Sequence, residues 1–301
     1  MSSDEVGDDE PGSFSGPFVD GKQAILGGMA SPPRRRLRDS EASTVVMLAY
    51  DDLGDGPTVV LLHGHPFDRS MWRPQLPLSD RFRLVAPDLR GYGQSPATQG
   101  TVSMADLAGD VWSLIDDRGI DETAVVGLSL GGLVAMEMTL ARPQRVWALG
   151  LIATTAQPVT ESERAERLAM ADEVEEAGMD PLVASMAPRL FGPDPDGEMV
   201  DSVLAMMAGN NPVGAAAALR GRAARPEYRE PLRSLRMPSF VCTGTHDVWS
   251  TAEVTRELVD CLSAPRTLSL PAVGHVPNLE RPDAFNAELA DFLRSAWEAR
   301  T

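Results

Sequence analysis

The sequence predicts an α/β fold in which a mostly parallel central sheet is flanked by helices. Short, continuously apolar segments such as 58–62 and 124–126 are typical of strands that are buried on both faces. Segments with helical periodicity alternate with these strands, as expected when helices connect parallel neighbours. From residue 157 to residue 232 the pattern contains only helices and turns. We therefore expect a helical cap inserted into the sheet-forming chain.

The predicted elements divide the chain into four parts. Residues 1–43 are rich in Asp, Glu, Gly, Ser and Pro and are expected to form a disordered tail. Residues 44–156 and 233–301 form the two parts of the core, and residues 157–232 form the cap. The predicted strands are 44–49, 58–62, 82–86, 124–126, 147–153, 239–243 and 267–270, and a turn is predicted over 51–56.

Capping patterns predict where several helices begin. A hydroxyl residue followed three positions later by an acidic residue satisfies the first free N–H groups of a helix. Such pairs are Ser103 with Asp106, Thr160 with Glu163, and Ser250 with Glu253. Pro282 is predicted at the first position of a terminal helix, where its missing N–H costs nothing. The cap helices are rich in methionine and alanine, which predicts an apolar wall for the substrate pocket.

Composition limits the partners and the compartment. The chain has 27 Lys and Arg against 44 Asp and Glu, a net charge of −17, which argues against nucleic acid and anionic membranes as partners. No segment approaches the roughly 20 apolar residues of a membrane span, and no signal peptide is recognisable, so we expect a cytoplasmic protein. Cys242 and Cys261 have neither disulfide nor metal-ligand spacing. A homo-oligomer remains possible.

The segment 125–132, VVGLSLGG, predicts a nucleophile. Ser129 lies in a G-x-S-x-G pattern between a predicted strand and a predicted helix. Glycines at 127, 131 and 132 remove side chains where the two elements approach each other. The alternative is a chance match of three letters, which the flanking strand and helix disfavour. We therefore expect the hydroxyl of Ser129 at the tip of a sharp turn.

A serine nucleophile requires a base and a group that orients the base. Among four histidines, His275 follows the last predicted strand, at the carboxyl end of the sheet where ligands bind. Asp247 follows the strand 239–243, and the order Ser129, Asp247, His275 is the one expected of a strand–turn–helix nucleophile. Asp247 as an ordinary turn residue is the alternative.

The oxyanion requires two N–H donors. We predict the backbone N–H groups of Leu130 and His65, with Phe67 as the alternative to His65. The His65 imidazole could also enter the pocket, whereas His63 is expected to hold the loop in place. The pocket is predicted to be lined by Phe67, Trp72, Val248 and Val276.

Five segments carry a resemblance to a known superfamily. They are HGHP at 63–66 with Trp72, PDLRGYG at 87–93, GLSLGG at 127–132, GTHD at 244–247 and GHVPNLERP at 274–282. From about residue 44 onwards, the chain resembles an α/β-hydrolase with a helical cap, most closely the 3-oxoadipate enol-lactonase branch that includes carboxylesterases and cofactor-free perhydrolases. His65 departs from the aromatic or aliphatic residue that these relatives often carry. Related dehalogenases and epoxide hydrolases carry an aspartate nucleophile in the turn that corresponds to Ser129, and the serine argues against both classes.

The motifs and the resemblance together predict a serine hydrolase that needs neither metal nor organic cofactor. Its substrate is expected to be a small to medium apolar carboxylic ester or lactone, cleaved through an acyl-enzyme at Ser129. A perhydrolase or a carbon–carbon bond hydrolase with the same triad is an alternative. A ligand-binding protein that kept the fold and lost turnover is an alternative from another class.

Overall fold

In the computed structural model, residues 46–300 are described, and their strands form one seven-stranded sheet. The order across the sheet is β1-β3-β2-β4-β5-β6-β7, with β1 antiparallel to β3 and all other neighbours parallel. The strands are β1 Tyr50–Leu53, β2 Thr58–Leu62, β3 Arg83–Pro87, β4 Thr123–Leu128, β5 Val146–Ile152, β6 Ser239–Gly244 and β7 Arg266–Leu270.

Helices connect the parallel strands and cover the sheet. The α-helices are α1 Met104–Asp117, α2 Leu130–Ala141, α3 Glu161–Ala177, α4 Asp180–Leu190, α5 Gly197–Ala208, α6 Pro212–Ala223, α7 Arg229–Leu232, α8 Ala252–Asp260, α9 Pro277–Glu280 and α10 Pro282–Glu298. A 3₁₀ helix spans Arg69–Asp80 between β2 and β3. In this part of the chain, no helix combines the length and the apolar character needed to cross a membrane.

The central strands are buried on both faces, as their apolar runs predict. Alternate residues of β2 point to opposite faces, so Val60 and Leu62 join one hydrophobic cluster while Val59 and Leu61 join another. Every residue of β2, β4, β5 and β6 is buried. This arrangement confirms the predicted α/β fold with a mostly parallel sheet and brings the carboxyl ends of β4 to β7 side by side.

The first predicted strand is wrong. Of the predicted strand 44–49, residues 44 and 45 lie outside the described residues and 46–49 lie outside any strand. β1 occupies Tyr50–Leu53, which the sequence predicts mainly as a turn. This edge strand alternates between half-buried and exposed residues, so it lacks the apolar run of the central strands. Asp52 is accommodated there because its carboxylate accepts hydrogen bonds from Arg83, at 2.8 Å from Nε and 2.7 Å from Nη2. The predicted tail, residues 1–43, lies outside the described residues.

The segment between β5 and β6 contains five α-helices, α3 to α7, and no strand among its residues, as predicted. The capping boxes of Ser103 and Thr160 are present. The capping prediction for Ser250 is wrong, since Thr251 caps α8 by accepting from the N–H of Val254. Ser250 is instead buried in the turn that surrounds Asp247.

Candidate active site

Ser129 occupies a sharp turn between β4 and α2. Its φ is 53°, a left-handed value that is unfavourable for a residue with a Cβ atom. The turn is held by the Ser129 N–H, which donates to the carbonyl of Ile152 at 2.8 Å. A Cβ atom at Gly127 would collide with the carbonyl of Gly131, so the glycine pattern is required by close contact of strand and helix.

His275 and Asp247 form a buried pair. The Nδ1 atom of His275 lies 2.8 Å from Oδ2 of Asp247, and both side chains are almost completely buried. The other oxygen of Asp247 accepts from the N–H groups of Trp249 and Ser250, at 2.9 and 3.0 Å. Because the carboxylate is engaged on both oxygens, it holds the imidazole with Nε2 free for proton transfer.

The charge of Asp247 is stabilised by these contacts. Burial by itself raises the pKa of the Asp247 carboxyl, because desolvation disfavours the anion. The attraction and hydrogen bond of His275, together with the N–H groups of Ser250 and Trp249, outweigh burial and lower this pKa below its ordinary value. Asp247 is therefore ionised at neutral pH and suited to stabilise a positive imidazolium.

The loop that carries His275 is tied to the segment between β5 and β6. The N–H of His275 donates to the carbonyl of Leu190 at 2.8 Å, at the end of α4. The buried carboxylate of Glu280 accepts from Gly274 and from Gly192, both at 2.8 Å. The position of His275 therefore depends on contacts with a helix, α4, and the residues after it, which are distant in the sequence.

Ser129 and His275 line the same cavity, which has a volume of about 350 Å³. This volume lies within the range of small-molecule sites. Apolar residues on its wall include Leu133, Met170, Leu182, Met186, Leu219 and Trp249. The charged residues on its wall are Glu163, Glu166, Arg167, Arg189, Arg222 and Arg225. The wall combines apolar and strongly cationic parts.

The four predicted lining residues do not border this cavity. Phe67, Trp72 and Val276 are buried in a hydrophobic cluster on one face of the sheet, whereas Val248 is exposed. The side chains of Phe67, Trp72 and Val276 pack in this cluster because burial there removes their apolar surface from water. The wall expected to consist of methionine and alanine keeps Met170 and Met186 but also carries four arginines.

The loop after β2 lies beside Ser129, since His65 lines the same cavity. Within residues 46–300, neither the N–H of His65 nor that of Leu130 donates to a backbone acceptor in another part of the chain. His63 holds this loop, because its Nε2 accepts from the N–H of Leu89 at 2.9 Å and its Nδ1 donates to the carbonyl of Gly64 at 2.8 Å.

Asn210, at the end of α5, also holds this loop. Its side-chain amide donates to the carbonyl of Pro66 and accepts from the N–H of Gly93, both at 2.9 Å.

The imidazole of His65 is buried at the cavity wall. Its Nδ1 lies 2.6 Å from the hydroxyl of Tyr92, and its Nε2 has no hydrogen-bond partner among the described residues. Burial, with smaller contributions from the charges of Arg222 and His63, lowers the pKa of His65 well below its ordinary value. His65 is therefore a neutral ring that presents one free nitrogen.

Comparison with known proteins agrees with the fold. A family model described as the alpha/beta hydrolase family matches residues 59–288. The chain belongs to this family.

Among its relatives is 3-oxoadipate enol-lactonase 1 of Acinetobacter baylyi, 27% identical over 80% of this chain and 90% of the relative. A thermophilic esterase from Thermogutta terrifontis, solved with malate bound, is 31% identical with a TM-score of 0.82, covering 83% of this chain and 94% of the esterase. The enol-lactonase from Burkholderia xenovorans LB400 is 29% identical with a TM-score of 0.77, covering 83% of this chain and 98% of that one.

Several residues of this α/β hydrolase site were not singled out from sequence. Arg222, Arg225 and Glu280 lie in segments whose polar residues are expected at the surface. The sequence does contain a signal for Glu280, because an acidic residue five positions after His275, the predicted base, is close enough along the chain to contact the loop that carries this histidine. For the arginines no local signal exists, because their burial depends on how α3 and α6 pack.

Proposed function

We propose that this α/β hydrolase cleaves carboxylic esters or lactones through an acyl-enzyme formed on Ser129. The observation that carries the proposal is the meeting of a strained serine and an aspartate-paired histidine on one cavity. The names of the relatives, two enol-lactonases and an esterase, favour ester and lactone bonds over other acyl substrates.

The first half of the reaction forms the acyl-enzyme. Oγ of Ser129 attacks the carbonyl carbon while its proton passes to Nε2 of His275. Asp247, ionised and fixed by Trp249 and Ser250, stabilises the resulting imidazolium. The proton then moves from His275 to the leaving alkoxide as the carbon–oxygen bond breaks. In a lactone, this alkoxide stays attached to the acyl group.

The second half repeats the chemistry with water. His275 takes a proton from water, the hydroxide attacks the acyl carbon, and the proton returns to Oγ of Ser129 as the acid leaves. In both halves the negative oxygen of the tetrahedral intermediate is held by the N–H groups of Leu130 and His65. These donors are worth most when they are free and fixed beforehand, and Asn210 and His63 keep the loop of His65 in place.

The test is labelling with a fluorophosphonate probe, followed by mass spectrometry of the modified peptide. We expect modification at Ser129, loss of labelling in His275→Ala, and retained labelling in Ser185→Ala, since Ser185 lines the same cavity on α4. Unlabelled protein is assayed in parallel for hydrolysis of para-nitrophenyl esters and of lactones. A folded protein that is not labelled and hydrolyses neither substrate would contradict the proposal and favour a ligand-binding role.

A further inference from the structure

One wall of the cavity is formed by arginines. Arg222 lies in the last turn of α6, Arg225 follows that helix, and Arg167 lies on α3, which packs against α6. Arg189 of α4 is exposed and stacks on Trp249 with its guanidinium carbon 5.2 Å from the ring centre. Positive charge therefore exceeds the negative charge of the two glutamates on the same wall.

The inner arginines are not satisfied by the protein. Nε of Arg222, Nε of Arg225 and Nη1 of Arg167 are buried and have no hydrogen-bond partner among the described residues. Arg225 is only 7% exposed, and within residues 46–300 its side chain makes one hydrogen bond, from Nη2 to the carbonyl of Gln157 at 2.9 Å. Buried N–H groups of a cation are costly when unpaired, so their retention points to a ligand that accepts from them.

The two glutamates offset the positive charge of this cluster only in part. Glu163 lies 3.1 Å from Arg167, but its other oxygen caps α3 by accepting from the N–H and the hydroxyl of Thr160. Glu166 is exposed and accepts from Ser162 of its own helix. Arg222 and Arg225 have no carboxylate partner within residues 46–300.

A neighbouring arginine provides the contrast. Arg220, two residues before Arg222 on α6, faces away from the cavity and lies 2.7 Å from both Asp172 and Glu175 of α3. Burial, together with the charges of Arg167 and Arg225, lowers the pKa of Arg222 to about 9, whereas its acidic partners raise that of Arg220. Arg222 thus remains a cation at neutral pH with no carboxylate at ion-pair distance in the described part of the chain, while Arg220 is paired.

We propose that Arg222 and Arg225, with Arg167, form a subsite for a carboxylate group of the substrate. This inference rests on the proposed function and specifies it: the preferred substrate is an ester or lactone that carries a free carboxylate away from the reacting carbonyl. The planar guanidinium groups bind a carboxylate through two parallel hydrogen bonds, which supplies the missing acceptors. An anionic substrate replaces the purely apolar one that the sequence predicts.

The first experiment compares two esters that differ only at the far end of the acyl chain. The para-nitrophenyl monoester of glutarate ends in a carboxylate, and para-nitrophenyl pentanoate ends in a methyl group. We expect kcat/KM of wild type to favour the glutarate monoester by about tenfold or more, the range of one charge-assisted contact. Equal kcat/KM values, or preference for the pentanoate ester, would overturn the proposal.

Two variants locate the effect. Arg222→Met and Arg225→Met keep an unbranched side chain and remove the charge. Each is expected to lower the ratio of kcat/KM for the glutarate monoester to kcat/KM for the pentanoate ester by about 10- to 100-fold. Arg220→Met is the matched control, with the same change of charge on the same helix and no expected effect on the ratio. Equal losses for both esters in the two variants would contradict a carboxylate subsite.

A binding measurement separates this inference from the proposed function. Glutarate is titrated calorimetrically into Ser129→Ala and into Ser129→Ala with Arg222→Met. We expect binding to the first protein and at least about tenfold weaker binding to the second. Binding that depends on Arg222 without any ester turnover in wild type would support the subsite and refute ester hydrolysis. Ester turnover without glutarate binding would refute the subsite alone.

Discussion

Asp247 and Arg225 are both buried charged residues beside the same cavity, and the structure treats them in opposite ways. Asp247 receives three hydrogen bonds, from His275, Trp249 and Ser250, so both of its oxygens are engaged. Arg225 donates one hydrogen bond and leaves Nε buried without a partner among the described residues, as does Arg222. Among the described residues, both oxygens of the Asp247 carboxylate have hydrogen-bond donors, whereas N–H groups of Arg222 and Arg225 lack acceptors.

This difference in hydrogen bonding corresponds to two different requirements of an active site, holding a base in place and binding a substrate reversibly. A base must be held in one geometry throughout the reaction, and a fully engaged carboxylate achieves this by leaving the imidazole no alternative position. A binding group must exchange its partner each time a substrate enters and leaves, and donors already engaged by the protein are not free to do so. On the proposed function, the arginine wall gives up stability in order to bind substrate, whereas the pair of Asp247 and His275 is fully hydrogen-bonded by the protein.

The largest effect is expected on the side of the cavity that carries Ser129 and His275, from Ser129→Ala. Removing the nucleophile should lower kcat by about a millionfold, the loss measured when a serine triad is disabled. The fold should be retained, because the strain at Ser129 is determined by the backbone of the turn. Steady-state kinetics and circular dichroism test this prediction. Turnover within tenfold of wild type would remove Ser129 from the mechanism.

Asp247→Asn should produce the next largest loss. An amide at this position can donate to His275 and stabilise the wrong tautomer, which costs about 10⁴ in kcat in a serine triad. Asp260→Asn, an exposed substitution on α8, is the control and should leave kcat unchanged. A loss of less than tenfold in Asp247→Asn would mean that another group orients His275.

Glu280→Gln tests whether the base depends on the distant helices. A glutamine offers one acceptor oxygen, whereas Glu280 accepts from both Gly274 and Gly192, so one buried N–H is left unpaired. We expect a loss of about 1–3 kcal/mol in the free energy of unfolding, measured by denaturant titration. Glu288→Gln disrupts only an exposed pair with Arg266 and should cost less than about 1 kcal/mol.

A structural role alone would leave kcat unchanged once Glu280→Gln is folded. A role in positioning His275 predicts that kcat falls by about tenfold at a temperature where the variant is fully native, since small displacements of a catalytic group are costly. Glu280→Asp retains two acceptor oxygens and should recover part of this loss. An unchanged kcat in folded Glu280→Gln would restrict Glu280 to stability.

The smallest effect is expected at the arginine wall, and it is a gain in stability rather than a loss. Arg222→Met should raise the unfolding midpoint of the ligand-free protein by roughly 2–4 °C, because it replaces an unpaired charge with an apolar side chain. Arg220→Met, which removes the pairs with Asp172 and Glu175, should lower the midpoint or leave it unchanged. Differential scanning calorimetry measures both. A midpoint lowered in Arg222→Met would show that this arginine supports the fold.

The positions of Ser129, Asp247 and His275 could be predicted because the sequence signals for them are local. The glycines around Ser129 are dictated by the contact of one strand with the helix that follows it, and the contact is complete within a few residues. His275 and Asp247 follow the ends of neighbouring strands, and parallel strands bring such positions together. The edge strand Tyr50–Leu53 was missed because its half-exposed residues carry no apolar run.

The sequence by itself determined the α/β class, the turn at Ser129 and the placement of Asp247 and His275 after neighbouring strands, since each follows from short-range pattern and the geometry of parallel strands. Only the tertiary structure decided what lines the cavity. Arginines are surface residues by default, and the packing of α3 against α6 is what places Arg222 and Arg225 at the cavity rather than in solvent. The face that a helix buries depends on partners that are remote in the chain. The arginine wall of the cavity therefore could not be derived from local sequence patterns.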